Sequence, residues 1–233
     1  MEVEILEFEA GARKATGLTV IIDVFRAFSV ECYAFDAGAE KIIATGDVEK
    51  AFHLKNYYAD SVLVGEREEK KIPGFDFGNS PSEIIKADLR GKTIIHTTTA
   101  GTAGLVNAVN ASIVITGSLV NASAVTAYIK SLNPQHVSLV AMGYRAKLSA
   151  EEDLLCAEVV SAALTGKKLI PESMIADLKN SSGSRFFIPA NHSFSPPEDF
   201  YLCTALNKFN FIIEAFPIEG GDVLLKKVDV AVL

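Results

Sequence analysis

Six short runs of apolar, largely β-branched residues dominate the first two thirds of the chain, and most of them are continuous rather than alternating. They are Leu18–Asp23, Lys41–Thr45, Ser61–Val64, Lys92–Thr97, Ser112–Thr116 and His136–Ala141. A strand with one wet face alternates apolar and polar residues, whereas a strand covered on both faces has no reason to. The runs therefore predict a sheet with helices on both sides. Stretches of helical spacing lie between them. One runs from Ala27 to Ala37, with Gly38 as its stop. Another starts at Asp47 as N-cap and places Val48, Ala51, Phe52 and Ala59 on one face. Asn121 is expected to cap a third, built on Ala122, Val125, Ile129 and Leu132. A fourth begins near Ala150 and buries Leu155, Val159, Ala162 and Ala163. This alternation implies an α/β fold, a three-layer α/β/α sandwich around a largely parallel, mixed sheet.

The rhythm breaks twice. Glu66–Asn79 is a long connection rich in charge, glycine and proline, and loops of that length in compact domains usually carry function. After Gly166 the pattern becomes irregular: a helix-like Glu172–Asn180, a polar run Asn180–Arg185, a Ser193–Pro197 turn, a helix to about Asn207, then strands at Phe211–Phe216 and Val223–Val232. The expected organisation is one domain over 1–233, with a core at 18–165 and an extension at 166–233. Its Phe209–Phe216 segment would cover the sheet or meet a second subunit, and a homodimer is the expected assembly.

Composition narrows the function. The net charge of −7 comes without basic clusters, which argues against a nucleic-acid partner. No apolar run approaches the ~18 residues of a membrane span, and Met1–Ala10 carries four glutamates and no basic n-region. A cytoplasmic protein with no membrane partner is expected. Cys32, Cys156 and Cys203 are odd in number and far apart, unlike a disulfide framework or a CxxC site. His53, His96, His136 and His192 are equally dispersed, so any metal should be a hard ion held by oxygen.

Ligands in open α/β sheets bind outside the carboxyl ends of strands, so the residues that follow each run are the informative ones. Asp23 and Arg26 follow the first, Glu66 and Arg67 the third, and Thr97–Thr102 the fourth. Ser118 and Asn121 follow the fifth, and Gly143-Tyr-Arg145 with Glu151–Asp153 the sixth. Gathered on one edge, they would make an oxyanion site with a hard cation. Thr98, Thr99, Gly101 and Thr102 form a hydroxyl- and glycine-bearing turn able to cradle phosphate oxygens, although strand propensity and a capping Thr102 explain the same residues. There is no P-loop ending and no GxGxxG. Asp23 needs a cation, either Arg26 or a metal, and the second acid of the haloacid-dehalogenase pattern is missing. Glu152 and Asp153 either hold Mg²⁺ or serve the helix dipole. Asn121 reads equally well as a plain cap, and His96 reads as structural.

Together these segments resemble the 2-phosphosulfolactate phosphatase (ComB) family. The motifs are Val20–Ser29, Gly65-Glu-Arg67, Ile72–Pro81, Gly91–Thr102, Gly117–Ala122 and Glu152-Asp153, in the family's order over roughly residues 18–160, with a looser match at Pro197-Glu-Asp and Phe209–Phe211. Ala100 stands where the family has asparagine. The resemblance implies a Mg²⁺-dependent phosphatase hydrolysing (R)-2-phospho-3-sulfolactate on the route to coenzyme M. On this reading Asp23, Arg26 and Arg67 are catalytic, and Asp23, Glu66, Glu152 and Asp153 hold the metal. Asn79, Ser80, Thr98, Thr99, Gly101, Thr102, Ser118 and Asn121 bind substrate. Alternatives are another 2-phospho acid as substrate, or an anion- or nucleotide-binding protein without catalysis. Attack through an aspartyl phosphate and direct attack by water both remain open.

Overall fold

Each of the six expected strands forms, and a computed structural model describing residues 1–231 shows how they assemble. The chain opens with β1 (Glu2–Glu7) and α1 (Phe8–Lys14), which the acidic N-terminal stretch did not announce. There follow β2 (Gly17–Ile22), α2 (Ala27–Asp36), β3 (Lys41–Ala44), α3 (Val48–Tyr57), β4 (Ser61–Arg67) and β5 (Lys70–Lys71). Next come α4 (Pro81–Ile84), β6 (Thr93–Thr97), α5 (Gly101–Asn107), β7 (Ala111–Gly117), α6 (Ala122–Leu132), β8 (His136–Ala141) and α7 (Glu151–Thr165). The last third holds α8 (Pro171–Leu178), a 3₁₀ turn at Ser182–Phe187, α9 (Pro197–Cys203), β9 (Phe211–Pro217) and β10 (Val223–Asp229). Val232, the expected end of the last strand, lies outside the described residues.

One mixed sheet runs β1-β8-β2-β7-β9-β10-β3-β6-β4-β5. The pairs within β1-β8-β2-β7 and within β3-β6-β4 are parallel. Continuous apolar runs are explained directly by β2: Ile21 faces one helical layer with Phe28 and Ala12, while Leu18, Val20 and Ile22 face the other with Val125 and Val160. A third cluster joins Ala51 of α3 to Leu63 and Ile95. Asp47 caps α3 as expected, accepting the Glu49 and Lys50 N–H groups at 2.8 and 3.2 Å. Asn121 does not cap α6. Its Oδ1 accepts the Ser118 N–H, and Asn207 accepts the Ser123 N–H instead.

The late strands overturn the picture of a covering extension. β9 and β10 lie mid-sheet, pairing antiparallel with β7, with each other and with β3. Three successive reversals make the β3-β6-β4 block run opposite to β2. Residues after β2 and β6 should therefore sit at opposite edges, five places apart in the order, roughly 24 Å in a flat sheet at about 4.8 Å per strand. They touch instead: a Cβ built on Gly101 would stand 3.1 Å from Asp23 Oδ2. Cumulative strand twist curls the two blocks toward each other and makes a cleft between them.

Candidate active site

That cleft is lined by Asp23, Arg26, Glu66, Asn79, Thr98, Thr99, Glu152 and Asp153, together with Phe25, Tyr144, Arg145, Arg185 and the Glu68-Glu69 turn. Strand-end residues of both blocks thus meet in one place.

Asp153 is the anchor of the acidic side. Its Oδ1 accepts the Val24 N–H at 2.7 Å and its Oδ2 the Gly143 N–H at 2.8 Å, tying the end of β2 to the end of β8. Asp23 uses Oδ1 to accept the Ala27 N–H at 3.2 Å, in the first turn of α2. Glu152 points a buried Oε2 with no hydrogen-bond partner. These three carboxyls are 7, 3 and 2% exposed for Asp23, Glu152 and Asp153. Burial pushes Asp23 up to about 7, with repulsion from Glu66 and Glu152 adding to it. Burial likewise carries Asp153 well above the usual carboxylate range, reinforced by Asp23 and Glu152. Glu152 is also raised by burial, against a pull downward from Arg185. Crowded buried acids of this kind are what a divalent cation relieves.

Across from them, Glu66 shapes the threonine turn. Its Oε1 accepts both the Thr99 N–H (2.9 Å) and the Thr99 hydroxyl (3.0 Å), and its Oε2 accepts the Glu69 N–H at 2.9 Å. Thr98 and Thr102 exchange backbone-to-hydroxyl bonds at 3.3 Å, closing the turn into α5. Among the described residues no three His, Cys, Asp or Glu side chains are grouped to enclose an ion by themselves. Magnesium does not require it, since one or two carboxylates plus water and phosphate suffice. The orphaned Glu152 oxygen and the Asp23 oxygen left over from the Ala27 bond fit such an ion.

Other expected site residues have different partners or positions from those expected, although Arg26 lines the cleft. Arg67 donates to the Glu66 and Gly46 carbonyls at 2.8 and 2.7 Å and lines a neighbouring hollow that shares Thr98 and Thr99 with the cleft that holds Asp23. Arg26 does not pair with Asp23; it binds Asp199 of α9 at 2.7 Å and the Phe194 carbonyl at 2.7 Å. Ser80 donates to the same Asp199 at 2.9 Å, below the cleft wall. Ser118 is wholly buried against Ser29 at 2.7 Å, and Asn121 reaches the Phe211 carbonyl, so both brace the scaffold. Gly101 lies beneath the site, where its missing Cβ leaves room for Asp23, Ala27 and Phe28. Arg145, Arg185, Tyr144 and Asp199 are the cleft and support residues that the sequence reading did not select. Arg145 and Asp199 sat within motifs already noticed, after the sixth run and in Pro197-Glu-Asp. Arg185 carried no signal beyond its polar run.

A family model described as 2-phosphosulpholactate phosphatase matches residues 6–215. The chain belongs to that family. Among relatives of the phosphosulfolactate phosphatase family, a protein from Bacillus subtilis named probable 2-phosphosulfolactate phosphatase is 30% identical over 200 residues, covering 84% of this chain and 86% of that one. One of the same name from Carboxydothermus hydrogenoformans is 38% identical over 170 residues, 72% of this chain and 70% of its own. A third, from Caldanaerobacter subterraneus, is 44% identical over 137 residues, 58% of this chain and 56% of its own. In this phosphatase family member, no helix among the described residues is long and apolar enough to cross a membrane.

Proposed function

We propose that the cleft hydrolyses (R)-2-phospho-3-sulfolactate to 3-sulfolactate and phosphate with the help of one Mg²⁺. As a member of its family the chain is a phosphoric monoester hydrolase, and the names of its relatives supply the substrate. The observation that carries the metal is the buried trio Asp23, Glu152 and Asp153, across one cleft from the Thr98-Thr99 turn. Asp23 and Glu152 would hold the ion, each with an oxygen that accepts no hydrogen bond among the described residues, whereas both oxygens of Asp153 accept backbone N–H groups and those of Glu66 accept from Thr99 and Glu69. When bound, the ion offsets charge on the phosphoryl oxygens and on the acids around it. The chain itself positions the ester: the Thr98-Thr99 turn, fixed by its bonds to Thr102 and Glu66, would line the phosphoryl side, and Asn79 closes the wall. Water adds across the P–O bond, its oxygen going to phosphorus and a proton to the departing hydroxyl. In this reading the product serves coenzyme M synthesis and the reaction runs in the cytoplasm; the three cysteines, all free and buried, are compatible with a reducing compartment.

The test is a panel of 2-phospho acids with Mg²⁺ and with EDTA. Metal-dependent phosphate release, fastest on the sulfonated substrate, is expected. Ligand binding that survives EDTA without any phosphate release would make the protein a binder and end the enzymatic reading. Hydroxylamine trapping separates an aspartyl-phosphate intermediate from direct water attack.

A further inference from the structure

We infer that Arg185 grips the sulfonate, one of the two substrate anions that hydrolysis leaves intact, and so sets the enzyme's preference for sulfonated 2-phospho acids over those that carry the carboxylate alone. This rests on the phosphatase reading above. Arg185 sits on the 3₁₀ turn Ser182–Phe187, whose Gly183 packs so tightly that a Cβ there would meet the Phe200 ring at 2.5 Å. Its guanidinium carbon lies 5.7, 5.6 and 5.2 Å from the ring centres of Phe25, Tyr144 and Phe186, so aromatic faces hold it in place. One Nη2 bond goes to the Phe25 carbonyl at 3.2 Å. The Nε–H is buried without an acceptor, its nearest carboxylate being Glu69 at 3.9 Å, beyond hydrogen-bond reach.

Of the other cations of the cleft, one is committed and one stands half in solvent. Arg26 is taken up by Asp199 and by the Phe194 and Glu69 carbonyls, and Arg145 is a half-exposed side chain 3.8 Å from Glu68. Arg185 is thus a fixed, solvent-poor fork with spare donors. Glu152, lining the same cleft, keeps a buried oxygen without a hydrogen-bond partner at bonding distance; Arg185 and Ser182 are near enough to draw its pKa down, but Arg185 does not bond to it. Two unsatisfied groups of opposite sign mark the place of a third body that presents an anion to one and a cation to the other. A phosphoester bridging to a metal at Glu152, with a second oxyanion at Arg185, meets both demands. The planar, weakly hydrated guanidinium among aromatic rings suits a diffuse monoanion such as sulfonate, whereas the dense phosphoryl charge suits the hard cation.

Steady-state kinetics on 2-phosphosulfolactate and on 2-phospholactate, which keeps the phosphoester and carboxylate but lacks the sulfonate, test this. Arg185→Gln should cut kcat/KM on the sulfonated substrate roughly a hundredfold, mostly through KM, and change phospholactate less than about threefold. Arg185→Lys, which keeps the charge and loses the fork, should fall between. Calorimetric binding of 3-sulfolactate to wild type should vanish in Arg185→Gln while binding of inorganic phosphate persists. An equal loss on both substrates, or no loss on either, would overturn the assignment. Absence of phosphate release from both substrates by wild type would overturn the phosphatase reading instead, leaving the 3-sulfolactate binding comparison to judge Arg185 alone.

Discussion

Arg26 and Asp199 form an ion pair at 2.7 Å with side chains 3 and 0% exposed, joining the loop after β2 to α9 across 173 positions of sequence. Asp199 also accepts from the Ser80 hydroxyl and the Ser82 N–H, at 2.9 and 3.0 Å, so one carboxylate ties three segments behind the cleft. Removing one partner of a buried pair strands the other charge, at a cost of about 3–5 kcal/mol. Asp199→Ala should therefore lower the denaturation midpoint sharply, as urea unfolding will measure. The double change Arg26→Met with Asp199→Leu should recover stability well beyond the single variant. If Asp199→Ala unfolds like wild type, the pair does not hold the wall.

Asp23 couples stability to pH in the metal-free protein. Its carboxyl is raised from 3.8 to about 7, chiefly by burial. A group raised on folding contributes stability that is complete below its unfolded value and is lost as pH climbs through the folded one. The melting temperature of EDTA-treated protein should fall as pH rises from 4 to above 7. Asp23→Asn should flatten that fall while abolishing phosphate release. A pH profile unchanged by Asp23→Asn would show that this carboxyl is not the group responsible.

Gly101→Ala probes how closely the two sheet blocks approach. The new methyl group would lie 3.0 Å from the Ala27 Cβ and 3.1 Å from both Asp23 Oδ2 and the Phe28 ring. Overpacking at such a site costs about 1–3 kcal/mol, and here the strain falls on an acid of the cleft. Activity should drop by more than stability alone explains, measured as kcat at a temperature where the variant remains folded.

The edge strand β1 should respond to pH from both sides. Glu4 accepts from His136 at 2.8 Å; that bond lowers Glu4 and raises His136. The Glu4 contribution is present above its ordinary value of 4.5 and is lost as pH falls through its lowered one. The His136 contribution is present below 6.5 and is lost as pH rises through its raised one. Protection of the β1 amides, taken relative to their intrinsic exchange at each pH, should be highest between those limits, and His136→Gln should remove that maximum. High salt should weaken the effect, since the pair is partly exposed.

Local chemistry made a good part of this molecule legible from sequence. Apolar runs flanked by caps and glycines specified six strands, the main helices and an α/β sandwich, because burial on both faces leaves its mark residue by residue. The residue types that follow those strands named Asp23, Arg26, Glu66, Thr98, Thr99, Glu152 and Asp153, and the long loop and its family motif named Asn79; all of them line the cleft. Partner choice was decided only by tertiary structure. Nothing in the spacing of Phe211–Pro217 says that it pairs between β7 and β10, and that placement reverses half the sheet. Nor does the run around Arg185 distinguish it from Arg67, although one faces the acids and the other turns to the Gly46 carbonyl. Periodicity reports how a segment meets solvent; which distant segment it meets depends on twist, register and packing summed over the whole chain.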